Sequence, residues 1–486
     1  MKLRNIMYAA MIAASLPLLQ SCEKIKDFDD VNNNPNATTE PITSALLTNA
    51  LAGLGNTVWG NGISVDAGLF AQFFSETQYT EASRYSKPVF NMDGFYAGAM
   101  YDLQNIINYN SDPETAGKAA AFGSNANQIA VARILKAYFF WILTDTYGDI
   151  PYFEALKGDG NLQYDAQSDI YPALIQELKD AVDQFDGGLA MRGDILYNGN
   201  IARWKKFANS MRLLMALRLS DAPTTPATYA RDEFNAALNH PAGVIQENAD
   251  NAALVFPGGV YNHPLYQYYI ITLRDDYAVS TTVMNFLNAN GDARRAVFGS
   301  STIGFPYGLT RDDATAFANA NSNYARLLHP SVRQATSPIV IIGAAHVYLA
   351  RAEAAQRGWT AESAAAMYAL GIQRSWEQWG VYDPAVFAAY LTQNAISLAA
   401  GSPLEKIQTQ QWLAWYPNGT QGWANWRRTG IPVLTPAPGT GLPIVRRIPY
   451  GPNDYNFNLA NVEVAAARYI VSGVEDSQNA PVWWDQ

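Results

Sequence analysis

The 486-residue chain carries 43 Asp and Glu against 33 Lys and Arg, a formal charge of −10 at pH 7. A surface with that balance repels phosphate backbones and argues against nucleic acid as a partner. With one cysteine, Cys22, a disulfide framework and cysteine-rich metal sites are excluded, so stability must come from burial, for which 49% hydrophobic content over this length is ample.

The first predicted element is a leader over residues 1–21. Lys2 and Arg4 precede an apolar run from Ile6 to Leu19, and Leu19-Gln20-Ser21-Cys22 follows, which is the basic, apolar, small-residue order of a secretory signal. The run falls short of the roughly eighteen residues a membrane span takes. Because Cys22 stands at the cut, it reads as the acylated residue of a lipoprotein, and buried acyl chains contribute about 0.8 kcal/mol per methylene to holding it on a membrane. Residues 22–40 are polar and acidic with Asn-Pro turn signals and read as a flexible tether. The folded body is residues 41–486.

That body reads as mainly α-helical. Thr38–Asn56 and Ser64–Phe74 have helical spacing, whereas Ser75–Phe95, with Tyr79, Arg84 and Tyr85, reads as a loop. Helix resumes over Phe95–Tyr109. In Ile129–Leu156, Val131, Leu135, Tyr138 and Ile142 recur at steps of four, three and four, and most of the remaining circumference is apolar too. A helix apolar on nearly all sides is a buried one, and Gly148 and Pro151 stop it. Asp169–Phe185 and Ile201–Leu219 follow as amphipathic helices, and short helices in such pairs suggest an α-solenoid component.

Asn251–Pro338 changes character, with Gly258-Gly259, many tyrosines and only Tyr277–Asn288 strongly helical. Loops that long inside a folded body usually carry function, so residues 251–338 read as a loop-rich, ligand-facing insertion. Ile339–Arg357, Ser363–Trp379, Leu404–Tyr416 and Thr420–Arg428 return to helix.

No catalytic constellation stands out. There is no G-x-S-x-G, and His240, His263, His329 and His346 lack H-E-x-x-H spacing. His346, in an apolar helix, reads as a core residue. Asp159-Gly160-Asn161 lacks the ligands that an EF-hand needs to follow. Asp275-Asp276 and Asp312-Asp313 read as solvated turn pairs, so no catalytic residue, metal ligand or cofactor is assigned. Sugar binding needs flat rings for the apolar face of a pyranose and amides, carboxylates or arginines for its hydroxyls. The candidate rings are Trp59, Tyr79, Tyr85, Tyr266, Tyr268, Tyr269, Tyr307 and Tyr324; Arg84, Arg274 and Asn323 are candidate polar contacts, with Asn61, Asn262 and Asn321 nearby. The expectation is that several share one surface.

Several blocks resemble the SusD/RagB family of Bacteroidetes nutrient-binding lipoproteins. They are R-I-L-K-A-Y-F-F-W-I-L-T-D-T-Y-G-D-I-P-Y from Arg133, W-K-K-F-A-N-S-M-R-L-L-M-A-L-R-L-S from Trp204, Y-L-A-R-A-E-A-A-Q-R-G-W from Tyr348, Q-Q-W-L-A-W-Y-P-N-G-T-Q-G-W-A-N-W-R-R-T-G-I-P from Gln410, R-R-I-P-Y from Arg446 and the closing W-W-D. Each is a weak match alone, but their order over most of the chain is specific. Gln421 and Asn425 stand where related chains often carry acidic residues. Trp412, Trp423, Trp426, Arg427 and Arg428 read as scaffold, since aromatics at helical spacing are usually core.

The resemblance implies a SusD-like helical fold with tetratricopeptide-type helix pairs. It implies an outer-membrane lipoprotein facing the cell exterior, tethered through Cys22, which captures an oligosaccharide and delivers it to a SusC-like TonB-dependent barrel without chemistry on the ligand. A peptide receptor on the same scaffold, a surface glycoside hydrolase working through two carboxylates, and a purely structural lipoprotein are the alternatives.

Overall fold

The structure is a computed structural model and describes residues 41–486 except 61, 87, 89 and 159. The expectations for the leader, the tether, Cys22 and Asn61 therefore lie outside the described residues. Helices α1 (Thr43–Val58) and α2 (Gly62–Phe70) lead into strand β1 (Phe74–Glu76). Then come α3 (Tyr101–Ser111), α4 (Asn125–Tyr147), α5 (Gln167–Gln184), α6 (Ile201–Arg218) and α7 (Tyr229–Leu238). The middle of the chain supplies β2 (Ala252–Val255), β3 (Tyr277–Val279), α8 (Thr281–Ala289), α9 (Arg311–Ala320) and β4 (Pro338–Ile342). The last third forms α10 (Ala344–Gln356), α11 (Ala364–Gln378), α12 (Pro384–Leu391), α13 (Pro403–Trp415), α14 (Gly419–Thr429), α15 (Pro452–Phe457) and α16 (Leu459–Ala466). Chain neighbours pack in pairs, α4 on α5, α6 on α7 and α10 on α11, which is the helix–turn–helix economy of tetratricopeptide scaffolds.

Helix α4 is the central one. From Val131 to Tyr147 only Arg133 and Lys136 are not fully buried, and both reach neighbouring helices. Arg133 is forked onto Glu177 of α5 at 2.8 Å, and Lys136 donates to Gln104 of α3 at 2.8 Å. The helix stops because Gly148 has φ +84° and a Cβ there would run into the Tyr469 hydroxyl.

Two buried nodes join the C-terminal helices to the rest. Glu353 of α10 is fully buried and accepts from both Nη atoms of Arg428 at 2.7 Å, from Arg357 at 2.9 Å and from Gln411 at 2.9 Å. Burial pushes its carboxyl up, but Arg428 and Arg357 outweigh burial and hold it at about 2. Asp145 of α4 accepts from Tyr171 of α5 and from the Trp484 indole, while its carbonyl accepts from Arg427 at 2.6 Å. Arg427 in turn lies between the rings of Trp423 and Trp484, at 3.7 and 4.8 Å. Trp412, Trp423, Trp426, Arg427 and Arg428 are all buried, as scaffold residues must be. The amides of Gln421 and Asn425 act as acceptors: Gln421 takes a bond from Arg218 at 2.9 Å and Asn425 one from Arg428 at 3.4 Å.

Three expectations are corrected. The run Ile339–Ile342 is strand and not the start of a helix, because its β-branched residues pair antiparallel with β2. Gly343 then separates strand from helix, and Asn251 accepts from Ala344 N at 2.8 Å. Tyr277–Val279 is likewise strand, paired with β1, and the helix after it begins only where Ser280 caps Val283. Residues 251–338 are therefore less a run of loops than expected. They supply a strand to each of the two sheets and the exposed helix α9, capped by Thr310 on Asp313. Asp312 and Asp313 lie in that first turn, where carboxylates favour the helix dipole. Helix α12 is signalled by Asp383-Pro384, an N-cap followed by proline at the first position.

Replacing Glu353 by Ala leaves Arg428 buried without its counter-charge, and urea denaturation should show a loss of about 3–5 kcal/mol. Because the carboxyl pKa is depressed, the charge contributes above the ordinary carboxylate range and is lost as pH falls toward 2. The Tm gap between wild type and Glu353→Gln should accordingly narrow on acidification.

Candidate functional site

The β1–β3 ladder, Phe74 opposite Val279 and Glu76 opposite Tyr277, brings distant loops together. Single bridges add Arg326 to Ala278 and Phe305 to Ser280. Thr77 extends the contact, donating through its N to Asp276 O at 2.8 Å and through its hydroxyl to Asp275 O at 2.7 Å. The stretches 75–85, 266–280, 305–307 and 324–326, which hold most of the candidate rings, thus meet on one side of the molecule. Beneath them Phe305 packs edge-on to Phe317 at 4.8 Å and to Tyr324 at 5.0 Å.

Most of those rings face inward. Trp59, Tyr85, Tyr269, Tyr307 and Tyr324 are buried. Trp59 meets Phe74, Tyr268 and Tyr277 edge-on at 5.1, 5.7 and 5.5 Å. Tyr269 lies 5.0 Å from Tyr268 and spends its hydroxyl on Tyr277 O at 2.8 Å. The Tyr85 hydroxyl accepts from Ala437 N at 2.9 Å. Tyr324 is roofed by the Arg326 guanidinium at 3.8 Å and donates to Asp275 at 3.0 Å. The reason is the hydrophobic effect: large aromatics close to a strand pair bury against it unless something holds them out.

What remains open is narrower. Tyr79 is 50% exposed, with the Arg311 guanidinium 5.7 Å from its ring. Arg274 and Asn323 are exposed, and Tyr266, Tyr268 and Arg84 are half-buried. Arg84 anchors its loop by donating to Gly308 O at 2.8 Å and Pro438 O at 3.0 Å. The two aspartates are also not free turn residues. Asp275 is paired with Arg326 at 2.6 Å; Asp276 is buried and accepts from Tyr268 at 3.0 Å and from Arg274 Nε at 2.6 Å.

Residue-by-residue reading missed Tyr261, 64% exposed beside the Gly258-Gly259 turn, a doublet that marks a loop tip. It also missed Arg311 and Arg326, whose roles need the tertiary contact. Val260, Ile270, Ile271 and Leu273 are also exposed. No group of three or more potential metal ligands occurs among the described residues.

Glu76 closes the 77–85 loop onto the strand. Its carboxylate accepts from Ser83 N at 2.9 Å and from the Ser83 hydroxyl at 2.8 Å. Burial raises its pKa to about 7, the Ser83 bonds working against the shift and the nearby Asp66 adding to it. Burial raises Asp66 to about 7 as well.

A SusD-like family model, described as starch-binding and associating with the outer membrane, matches residues 35–451. Among solved structures, a chitin-binding protein is 29% identical with a TM-score of 0.75, the match covering 91% of this chain and 99% of that one. A SusD-like protein of Bacteroidetes is 25% identical with a TM-score of 0.72, over 91% and 99%. A chitin-binding SusD homologue from Flavobacterium johnsoniae, 23% identical, shares the fold with a TM-score of 0.74 over 91% and 98%. No curated protein sequence matches the chain.

The raised pKa of Glu76 carries a sign. The folded state holds a proton that the unfolded chain releases above about 4.5, so stability falls as pH rises from there through about 7. Glu76→Gln removes that titration, and thermal unfolding from pH 5 to pH 8 should show wild type losing ground steadily to the variant.

Proposed function

Since this chain belongs to the SusD-like family, matched over residues 35–451, we propose that it is a cell-surface receptor that binds an oligosaccharide without altering it and passes it to a SusC-like TonB-dependent barrel. The family match carries the reading, because the family is described as starch-binding and associated with the outer membrane. The chitin-binding relatives favour a neutral or weakly charged glycan over a peptide.

The face built on β1 and β3 supports the same reading chemically. Tyr79 offers an open ring beside Arg311, and on the segments that meet there Arg274, Asn323 and the Asp275–Arg326 pair supply donors and acceptors. Elsewhere on the 251–338 segment Val260 is 89% and Leu273 81% exposed, as apolar side chains covered by a partner would be. Among the described residues no helix is long and apolar enough to cross a membrane; attachment through acylated Cys22, with the folded body outside the cell, belongs to the same proposal.

Calorimetric titration of the soluble form, residues 23–486, with chito-, malto- and other oligosaccharides and with oligopeptides tests this, reducing ends being assayed in the same samples. Binding of a glycan without new reducing ends is expected. Tyr79→Ala should weaken that binding about tenfold, a loss of about 1.4 kcal/mol, with Tm unchanged. Trp59→Ala should instead destabilise the fold by about 3–5 kcal/mol, as a buried ring does. Turnover of the glycan, or binding of peptides alone, would overturn the proposal.

A further inference from the structure

A second cleft lies apart from that face. Its volume is about 210 Å³, and it opens between the 328–340 segment, the end of α11 at Gln378 and Trp379, and the turn from α13 to α14 at Trp415, Tyr416 and Pro417. A cavity of about 150 Å³ admits benzene, so this one has room for a small organic molecule.

Its wall is rich in donors, and no Asp, Glu or Lys lines it. The indole N–H of Trp379 is enclosed and has no protein partner among the described residues. In the neutral His263 ring Nδ1 accepts from Leu265 N at 3.1 Å, so the proton sits on Nε2, the remaining donor. Burial, with Arg333 nearby, lowers its pKa to about 4 and keeps the ring neutral. Ser337, another lining residue, accepts from Gln334 N at 2.8 Å and keeps its hydroxyl proton to give. His346 is by contrast spent: it accepts from Gly343 N at 2.9 Å, donates to Ala414 O at 3.0 Å and stacks on Trp415 at 3.7 Å.

Behind this wall stands Arg333, directly after the lining residues Ser331 and Val332. It is 7% exposed, and its Nε and Nη1 have no protein partner. Its guanidinium lies 4.0 Å over the Tyr269 ring and forms no ion pair among the described residues, while its charge is felt by His263 and Tyr416, both on the cleft wall. The nearest carboxylate to act on it, Asp275, is committed to Arg326 at 2.6 Å; a buried cation without an ion pair of its own is costly, and an anion brought to it relieves that cost. The other walls, Val58, Ile339, Trp415 and Pro417 among them, are apolar.

We infer that this cleft binds a small organic carboxylate with an apolar body, its carboxylate held by Trp379, His263 and the field of Arg333. The site is separate from the glycan face and does not rest on the proposed capture role. Phenylacetate is a suitable probe, and phenylacetamide is its neutral counterpart of the same shape. Titrations of the 23–486 form are followed by ligand-observed NMR and by tryptophan fluorescence. Phenylacetate should bind one to one and at least about tenfold more tightly than phenylacetamide, a charge-assisted hydrogen bond accounting for the difference. Arg333→Gln should abolish that preference. Trp379→Phe, which keeps a ring in the wall but removes its N–H, should weaken phenylacetate severalfold with Tm unchanged. Equal affinity for acid and amide, or no binding of phenylacetate up to about 10 mM, would overturn the inference; the acid–amide comparison on wild type decides it even where Arg333→Gln does not fold.

Discussion

The Glu353–Arg428 pair is the constraint from which the rest of the body follows. Two opposite charges are held in the interior, where each would be costly alone, and the geometry that satisfies them is shared between three helices. Arg428 comes from α14, Glu353 from α10 and Gln411 from α13, so none of the three can slide without stranding a charge. One residue earlier, Arg427 reaches the carbonyl of Asp145 in α4 and is clasped by Trp423 and Trp484. Two consecutive arginines thereby tie the C-terminal helices both to one another and to the central helix.

A scaffold pinned in this way can carry irregular chain at its edge. The face around β1 and β3 is built from segments that have little secondary structure of their own. They hold their positions through short strand pairing, bridged backbone contacts and specific side-chain bonds such as Arg84 to Gly308 and Glu76 to Ser83. The buried rings of Trp59, Tyr269 and Tyr324 act as the floor of that face, and the open Tyr79 and the charged rim stand on it. A rigid floor lowers the entropy cost of ordering loops around a ligand.

The two candidate regions are separate but linked through a pair of adjacent tyrosines. Tyr268, half-buried at the candidate face, meets Tyr269 edge-on, and Tyr269 carries Arg333 on its ring. The chemistry on either side differs sharply. Outward, Asp275 and Asp276 are matched by Arg326 and Arg274; inward, Arg333 lies on the Tyr269 ring and has no ion pair among the described residues, with Asp275 acting on it only from beyond contact. That contrast separates a rim suited to hydroxyl groups from a cleft suited to an anion.

Local patterns in the sequence determined the helices, because a periodic apolar face or a cap such as Asp383-Pro384 depends on residues within a few positions of one another. They also marked Trp423, Trp426, Arg427 and Arg428 as scaffold, and pointed to the stretches, Ser75–Phe95 and the tyrosine-rich middle, from which the candidate face is made. Tertiary structure alone decided which side chains on those stretches are open. Tyr85 is turned inward, where Ala437 N, more than 350 positions away, donates to its hydroxyl, while Tyr79 on the same stretch stays open. The strands at Tyr277–Val279 and Pro338–Ile342 were likewise decided by partners far along the chain, since a strand's hydrogen bonds lie outside its own segment. Arg333 looks like any surface arginine in the sequence; only folding, which buries it on Tyr269 beside a cleft without carboxylates, gives its charge something to do.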